Sequence, residues 1–166
     1  MSAAGQKANQ KQRSAARLAA VQGLYQMDMA STGINDVIRD LTATPLRDTA
    51  ISDDQGEDIE STQPDMTFLA EILRGVVRIQ RDIDPLIDNQ LASGWRLARV
   101  DSTLRAILRA GVFELKERTE VPSRVVINEY IEIARAFFDG DEPKVVNGVL
   151  DKLGRRLRPH EFKPVP

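Results

Sequence analysis

Two short stretches of the chain hold residues whose types and spacing could do chemistry. In the first, Lys11, Arg13 and Arg17 precede Gln22 and Tyr25 in a segment that reads as one helix. Arg13 and Arg17 stand i, i+4 and share a face. Single-stranded RNA is held by phosphate contacts from Arg and Lys, with stacking or hydrogen bonding to its bases. This set offers each kind of contact. Cations at a helix start are locally unfavourable, because the N-terminus is already positive. That cost points to a partner that compensates them. In the second stretch, Asp141, Glu142, Pro143 and Lys144 open a helix that carries Val145 and Asn147-Gly148 in its first half. A mid-helix glycine costs about 1 kcal/mol against alanine. A helix built only for packing needs neither that glycine nor the asparagine beside it.

Ordinary structural uses compete with each assignment. Tyr25 reads first as a core ring with its hydroxyl at the rim, and second as a ligand to RNA. Arg13 and Arg17 could solvate a surface helix, and Asp141 and Glu142 could cap one. Gly148 could admit a neighbouring helix. Val145 falls off the inward row of Val146, Val149 and Leu150 and is available to a partner.

Catalytic candidates are poor. The chain has no cysteine and one histidine, His160, in the segment RPHEFKP. Disulfides, thiolate nucleophiles and Cys-ligated metals are therefore excluded. No glycine-rich phosphate cradle of the GxxxxGK[ST] or GxGxxG kind occurs. Glu129 and Glu132 lack a nearby histidine for a metal site, and Asp82, Asp84 and Asp88 lack the calcium-loop glycine and glutamate. The expectation is a protein that is not an enzyme and holds no cofactor or metal.

The elements that must position these residues are helical. Of the 166 residues 42% are hydrophobic and only 5% aromatic, a mix suited to helix packing. A helix is expected from about Lys11 to Met29 and a short one from Ile34 to Leu41. Leu69, Ile72, Leu73, Val76 and Ile79 give a third, which Asp82 to Pro85 should break or kink, with a shorter helix resuming from Leu86 to Leu91. Asp101 N-caps a fourth, Pro122 starts a fifth with Ile127, Ile131, Ala134 and Phe138 inward, and the last buries Val146, Val149, Leu150, Leu153 and Leu157. No convincing alternating strand is present. The fold class is all-α, a bundle of six or seven helices in two halves.

Charge is segregated along this framework. Residues 1–30 hold Lys7, Lys11, Arg13 and Arg17 against Asp28, the middle is acidic, and Lys152, Arg155, Arg156, Arg158 and Lys163 make the tail basic. Such asymmetry favours an anionic partner over what the net charge of −2 suggests. Residues 1–10 are expected to be disordered, 11–158 to form the domain, 42–63 to be a mobile acidic loop, and 159–166 to be a tail. The chain start shows no secretory pattern, and no apolar window is long enough to span a membrane, so a cytoplasmic location is expected.

Three segments together resemble the NusB transcription antitermination family: AARLAAVQGLYQMD, DSTLRAILRAGVFELKERTEVPSRVVINEYIEIARAF and DEPKVVNGVLDKL. The pairing of VINEYIEIA with VNGVLDKL carries most of the likeness. The resemblance implies two perpendicular three-helix subdomains and no catalytic activity. It implies binding of boxA-type single-stranded RNA with NusE, a small ribosomal subunit protein, in an RNA polymerase antitermination complex acting in ribosomal RNA transcription. Some members self-associate, so a homodimer is a further implied partner. By the same resemblance, Lys11, Arg13, Arg17, Gln22 and Tyr25 are RNA-binding. Asp141, Lys144, Val145 and Asn147 lie where RNA and the protein partner meet. Two departures stand out. Ser14 and Ala15 occupy places that often hold arginine, which implies weak affinity for RNA alone. Val145 replaces a common aromatic, which leaves base stacking there open. The acidic segment Asp48 to Glu60 is an insertion. A purely protein-binding or self-associating helical module remains the alternative.

Overall fold

The computed structural model describes residues 2–43 and 62–163. The acidic segment Asp48 to Glu60 lies outside them. Among the described residues six α-helices follow in order: α1 Ala3–Ala30, α2 Ile34–Ala43, α3 Met66–Asp88, α4 Ser102–Glu117, α5 Ser123–Phe137 and α6 Glu142–Leu157. Single 3-10 turns occur at Leu97–Arg99 and Pro159–Glu161. Among the described residues there is no strand, and no helix is long and apolar enough to cross a membrane. The fold is all-α, as the periodicity predicts. The chain forms two compact units, Met1–Arg74 and Gly75–Pro166, whose boundary falls inside α3.

In the first unit α1 begins at Ala3, so residues 3–10 are helical rather than disordered. The Ser2 hydroxyl accepts the Gly5 N–H at 3.1 Å and caps the helix. The stretch is exposed, but its Ala, Gln and Lys residues are good helix formers. Extending a helix already nucleated by the buried segment Ala15 to Leu24 adds one hydrogen bond per ordered residue. Gly23 marks where three helices converge. A Cβ there would stand 3.0 Å from Val37, 3.1 Å from Leu41 and 3.1 Å from Leu73. The start of α3 is fastened to α1, because the Asp65 N–H donates to the Gln12 carbonyl at 3.0 Å while Asp65 Oδ1 accepts the Phe68 N–H at 3.0 Å.

In the second unit α3 does not end at Pro85. Its backbone is irregular earlier, at Ile79 (φ −114°, ψ 16°), and then runs helically to Asp88. A mid-helix proline costs about 3 kcal/mol. Two features of this segment offset it. Ile83 and Ile87 are completely buried. Asp84 accepts two hydrogen bonds from Arg109, each at 2.9 Å. Asp101 caps α4 as its position predicts, accepting from Thr103 N–H at 2.8 Å and Leu104 N–H at 3.4 Å. Pro122 is the residue before α5 rather than inside its first turn. The inward row of α5 is Val126, Ile127, Tyr130, Ile133 and Ala134, and Ile131 and Phe138 are only half-buried. Tyr130 donates to Glu114 Oε2 at 2.5 Å, with both residues wholly buried. Gly111 makes room for this layer, since a Cβ there would meet Leu150 at 2.8 Å.

Arg158 fastens the C-terminal end. It is 2% exposed. Its guanidinium donates to the carbonyls of Leu115 at 2.8 Å, Glu114 at 2.9 Å and Arg118 at 2.9 Å, and also to that of Val121. Three of these carbonyls belong to the end of α4, where cations are favoured; that of Glu114 also accepts the Arg118 N–H at 2.9 Å and that of Arg118 the Val121 N–H at 3.0 Å. Arg158 therefore leaves the basic tail and becomes a C-terminal clamp on α4.

Candidate nucleic-acid interface

The residues singled out on α1 divide into two rows. Arg13 and Arg17 lie over one ring, with guanidinium carbons 4.8 Å and 5.0 Å from the centre of Phe68. The negative face of an aromatic ring attracts a cation at this range. Arg13 is half-buried and keeps part of its surface in water. Arg17 is 2% exposed, so in the free chain it is packed against the Phe68 ring. One helical turn carries this row from the rim at Arg13 to the interior at Arg17. Lys11 and Gln22 are separated by roughly three turns and occupy a different stripe, half-buried, with Tyr25 one turn beyond Gln22. Tyr25 is 41% exposed, so the reading of it as a core ring fails. Met29, one turn further on, is 61% exposed.

Phe68 has no place in the sequence-based set, yet it positions both arginines. Its signal is the Asp65 cap three residues earlier, which fixes the first turn of α3 against α1 at Gln12.

The corner at the start of α6 belongs to the second unit. Asp141 occupies the N-cap position, but with φ −85° and ψ −4° its side chain makes no capping hydrogen bond. Asp101, by contrast, spends its carboxylate on two backbone donors. Capping therefore does not account for the Asp141 side chain. Glu142 has one carboxylate oxygen, Oε2, buried without a donor. Such an atom is uncommon, because buried acceptors are nearly always satisfied. Lys144 and Asn147 are exposed and Val145 is half-buried. Asp141, Lys144 and Asn147 thus present a carboxylate, an ammonium and an amide from one end of one helix, an arrangement able to accept from bases and to hold a phosphate.

Other polar residues are committed elsewhere. Asp84 pairs with Arg109, and Asp88 Oδ1 accepts the Leu97 N–H at 3.0 Å. Glu132 pairs with Arg135. His160 is exposed in the last 3-10 turn. Glu161 accepts the Ser123 N–H at 3.0 Å and the Ser123 hydroxyl proton, and lies 3.3 Å from Arg158. Burial acts to raise its pKa, but the Ser123 hydrogen bonds and the Arg158 charge outweigh it and hold the carboxyl below the ordinary value of 4.5.

The chain is similar to known proteins along most of its length. The model of the NusB family matches residues 14–155. A transcription antitermination protein NusB from Rhodopseudomonas palustris is 46% identical over 153 residues, covering 90% of this chain and 83% of the relative. One from Allorhizobium ampelinum is 50% identical over 150 residues, covering 89% and 88%. Among solved structures, NusB of T. maritima superposes with a TM-score of 0.68 at 26% identity, covering 90% of this chain and 96% of that one. A complex of the antitermination factors NusB and NusE with double-stranded RNA gives a TM-score of 0.65 at 20% identity over 86% of this chain and 96% of that one, a likeness of fold. With the family model spanning the segments that carry α1 through α6, and curated relatives near half identical, the chain belongs to the NusB family.

Proposed function

We propose that this protein is a non-catalytic transcription antitermination factor that binds boxA-type single-stranded RNA together with the small ribosomal subunit protein NusE, within an RNA polymerase complex acting in ribosomal RNA transcription. The observation that carries the reading is the α6 corner. Asp141 leaves its capping role unused, and Lys144 and Asn147 stand exposed beside it. Family membership supports the choice of partner, since one structural relative is a NusB–NusE complex with RNA. On α1, Lys11 and Arg13 contact phosphate, and Gln22 and Tyr25 meet bases. Arg17 acts indirectly by packing the ring that orients Arg13. On α6, Asp141, Lys144, Val145 and Asn147 contact RNA and the protein partner.

The test is a titration with a boxA-like RNA, single-stranded and duplex, with and without NusE. The single strand binds more tightly when NusE is present. Three phosphate contacts, from Lys11, Arg13 and Lys144, give a log–log salt slope of about −2. Absence of binding at low salt in the presence of NusE refutes the reading.

A second reading rests on Tyr25 and Met29, which stand i, i+4 on α1 at 41% and 61% exposure. A self-associating module buries them against a second copy. Sedimentation at two concentrations, with and without RNA, separates the two: this reading requires a dimer that RNA does not alter.

A further inference from the structure

Two glycines of α6 differ in what surrounds them. A Cβ on Gly154 would stand 3.1 Å from the Phe162 ring, so packing accounts for that glycine. A Cβ on Gly148 would meet nothing within 4 Å. No helix of the described chain needs the space, and the glycine still lowers helix propensity by about 1 kcal/mol. Its absent side chain is explained by something that approaches from outside.

The surface around Gly148 shows the chemistry of that visitor. Lys144, Gly148, Lys152 and Arg156 follow at i, i+4, i+8 and i+12, one ridge about 18 Å long. Lys144, Lys152 and Arg156 are exposed and have no side-chain partner among the described residues. Arg155 flanks the ridge, its guanidinium 4.9 Å from the centre of the Phe162 ring. Of the acids near the ridge, Asp151 is paired with Arg155 at 3.0 Å and Asp141 stands at its N-terminal end. Glu161 is turned to Ser123 and Arg158. Val146, Val149, Leu150 and Leu153 are buried, which fixes this ridge outward. Three unpaired cations with a bare backbone between two of them suit a chain that carries evenly spaced negative charge and can lie close to a helix.

We propose that the solvent face of α6 from Gly148 to Arg156 binds the sugar–phosphate backbone of RNA flanking the segment held at the Asp141–Asn147 corner. The inference rests on the RNA-binding reading and extends it. It adds Lys152 and Arg156 as phosphate contacts and assigns Gly148 the role of letting the strand approach. The corner selects the sequence, and the ridge reads none, because phosphate contacts position without specifying.

The experiment uses the full chain with NusE, a short boxA-like oligonucleotide, and the same oligonucleotide extended at both ends with uridines. The extended RNA binds more tightly, with a salt slope steeper by about 1.4, the increment for two phosphate contacts on a single strand. The double substitution Lys152→Gln with Arg156→Gln abolishes that increment and leaves the short RNA unaffected. Gly148→Leu raises the melting temperature, since leucine is the better helix former, and weakens the extended RNA roughly tenfold or more. Equal binding of short and extended RNA overturns the proposal. So does a Gly148→Leu variant that loses NusE without RNA present yet keeps the extension effect, because the ridge is then a protein contact. If even the short oligonucleotide fails to bind, the RNA reading itself falls, and this inference with it.

Discussion

The Arg17 guanidinium stands 5.0 Å from the centre of the Phe68 ring, and the residue is 2% exposed. Arg13, one turn earlier, lies 4.8 Å from the same ring but is only half-buried. Two arginines at i, i+4 therefore differ in exposure, and on the proposed reading only Arg13 meets RNA. Arg17→Ala removes a buried cation–π contact and the packing of a long aliphatic stem, a loss of about 2 kcal/mol in unfolding free energy. Arg13→Ala costs less than about 1 kcal/mol and flattens the salt slope for single-stranded RNA by about 0.7. Denaturant melts and salt titrations of the two variants measure both. A slope that changes with Arg17→Ala and not with Arg13→Ala reverses the assignment.

Arg158 carries a second separation of roles within a run of like residues. Arg158→Met keeps the length of the side chain and removes every donor. The carbonyls of Leu115 and Val121 then lose a buried donor, while those of Glu114 and Arg118 keep the Arg118 and Val121 N–H groups; each unsatisfied acceptor costs about 1–3 kcal/mol before relaxation. The expected loss is about 3–5 kcal/mol, a large share of a typical domain stability of roughly 5–15 kcal/mol. Arg156→Met, two residues away and exposed, changes stability by less than about 0.5 kcal/mol. Thermal melts of the pair decide whether position 158 is a clamp or part of a solvated tail.

These two cases show what the amino-acid order can and cannot reveal. Helix period fixes the inward rows, so Leu69, Ile72 and Leu73 in α3 and Val146, Val149 and Leu150 in α6 were legible without coordinates. Local capping chemistry is equally short-ranged, and Asp101 lies where its type predicts. Arg13 against Arg17, or Arg156 against Arg158, is a different problem. Their side chains are chemically alike, and their burial depends on Phe68 in one case and on the end of α4 in the other, both distant along the chain. The interruption expected at Asp82 to Pro85 lies instead at Ile79, and the helix holds through Pro85 for the same reason: buried Ile83 and Ile87 and the Arg109–Asp84 pair are tertiary terms that override a local preference. Of the candidate site, residue types and the α6 corner were readable. Phe68, the unused cap at Asp141 and the open space at Gly148 required the fold.

The Ser123–Glu161–Arg158 group makes stability depend on pH at the acid end. Burial opposes ionisation of Glu161, but the Ser123 hydrogen bonds and the Arg158 charge prevail and lower its folded pKa below 4.5. Unfolding restores the ordinary value, so the unfolded chain binds a proton more readily. The contribution of Glu161 is therefore present above about pH 4.5 and is lost as pH falls through the lower, folded value. Glu161→Gln removes this dependence. Acid titration of the melting temperature in both proteins shows it as a shallower decline for the variant below pH 4.5. Parallel declines in the two proteins exclude the group.

Gly75 and Gly148 give opposite signs for one substitution. Both sit inside helices, where alanine gains about 1 kcal/mol over glycine. A Cβ at Gly75 would run into the ring of Phe113, which is 3% exposed and has little room to move. Overpacking of this kind costs about 1–3 kcal/mol and outweighs the propensity gain. Gly75→Ala is therefore destabilising by about 1–2 kcal/mol, with unfolding rates that rise accordingly. At Gly148 the added methyl meets nothing within 4 Å, so only the propensity term acts and Gly148→Ala stabilises by about 1 kcal/mol. Chemical denaturation of the two variants reads both signs. A destabilised Gly148→Ala protein means that a neighbour already fills that space in the free chain, and the case for an outside visitor at α6 fails with it.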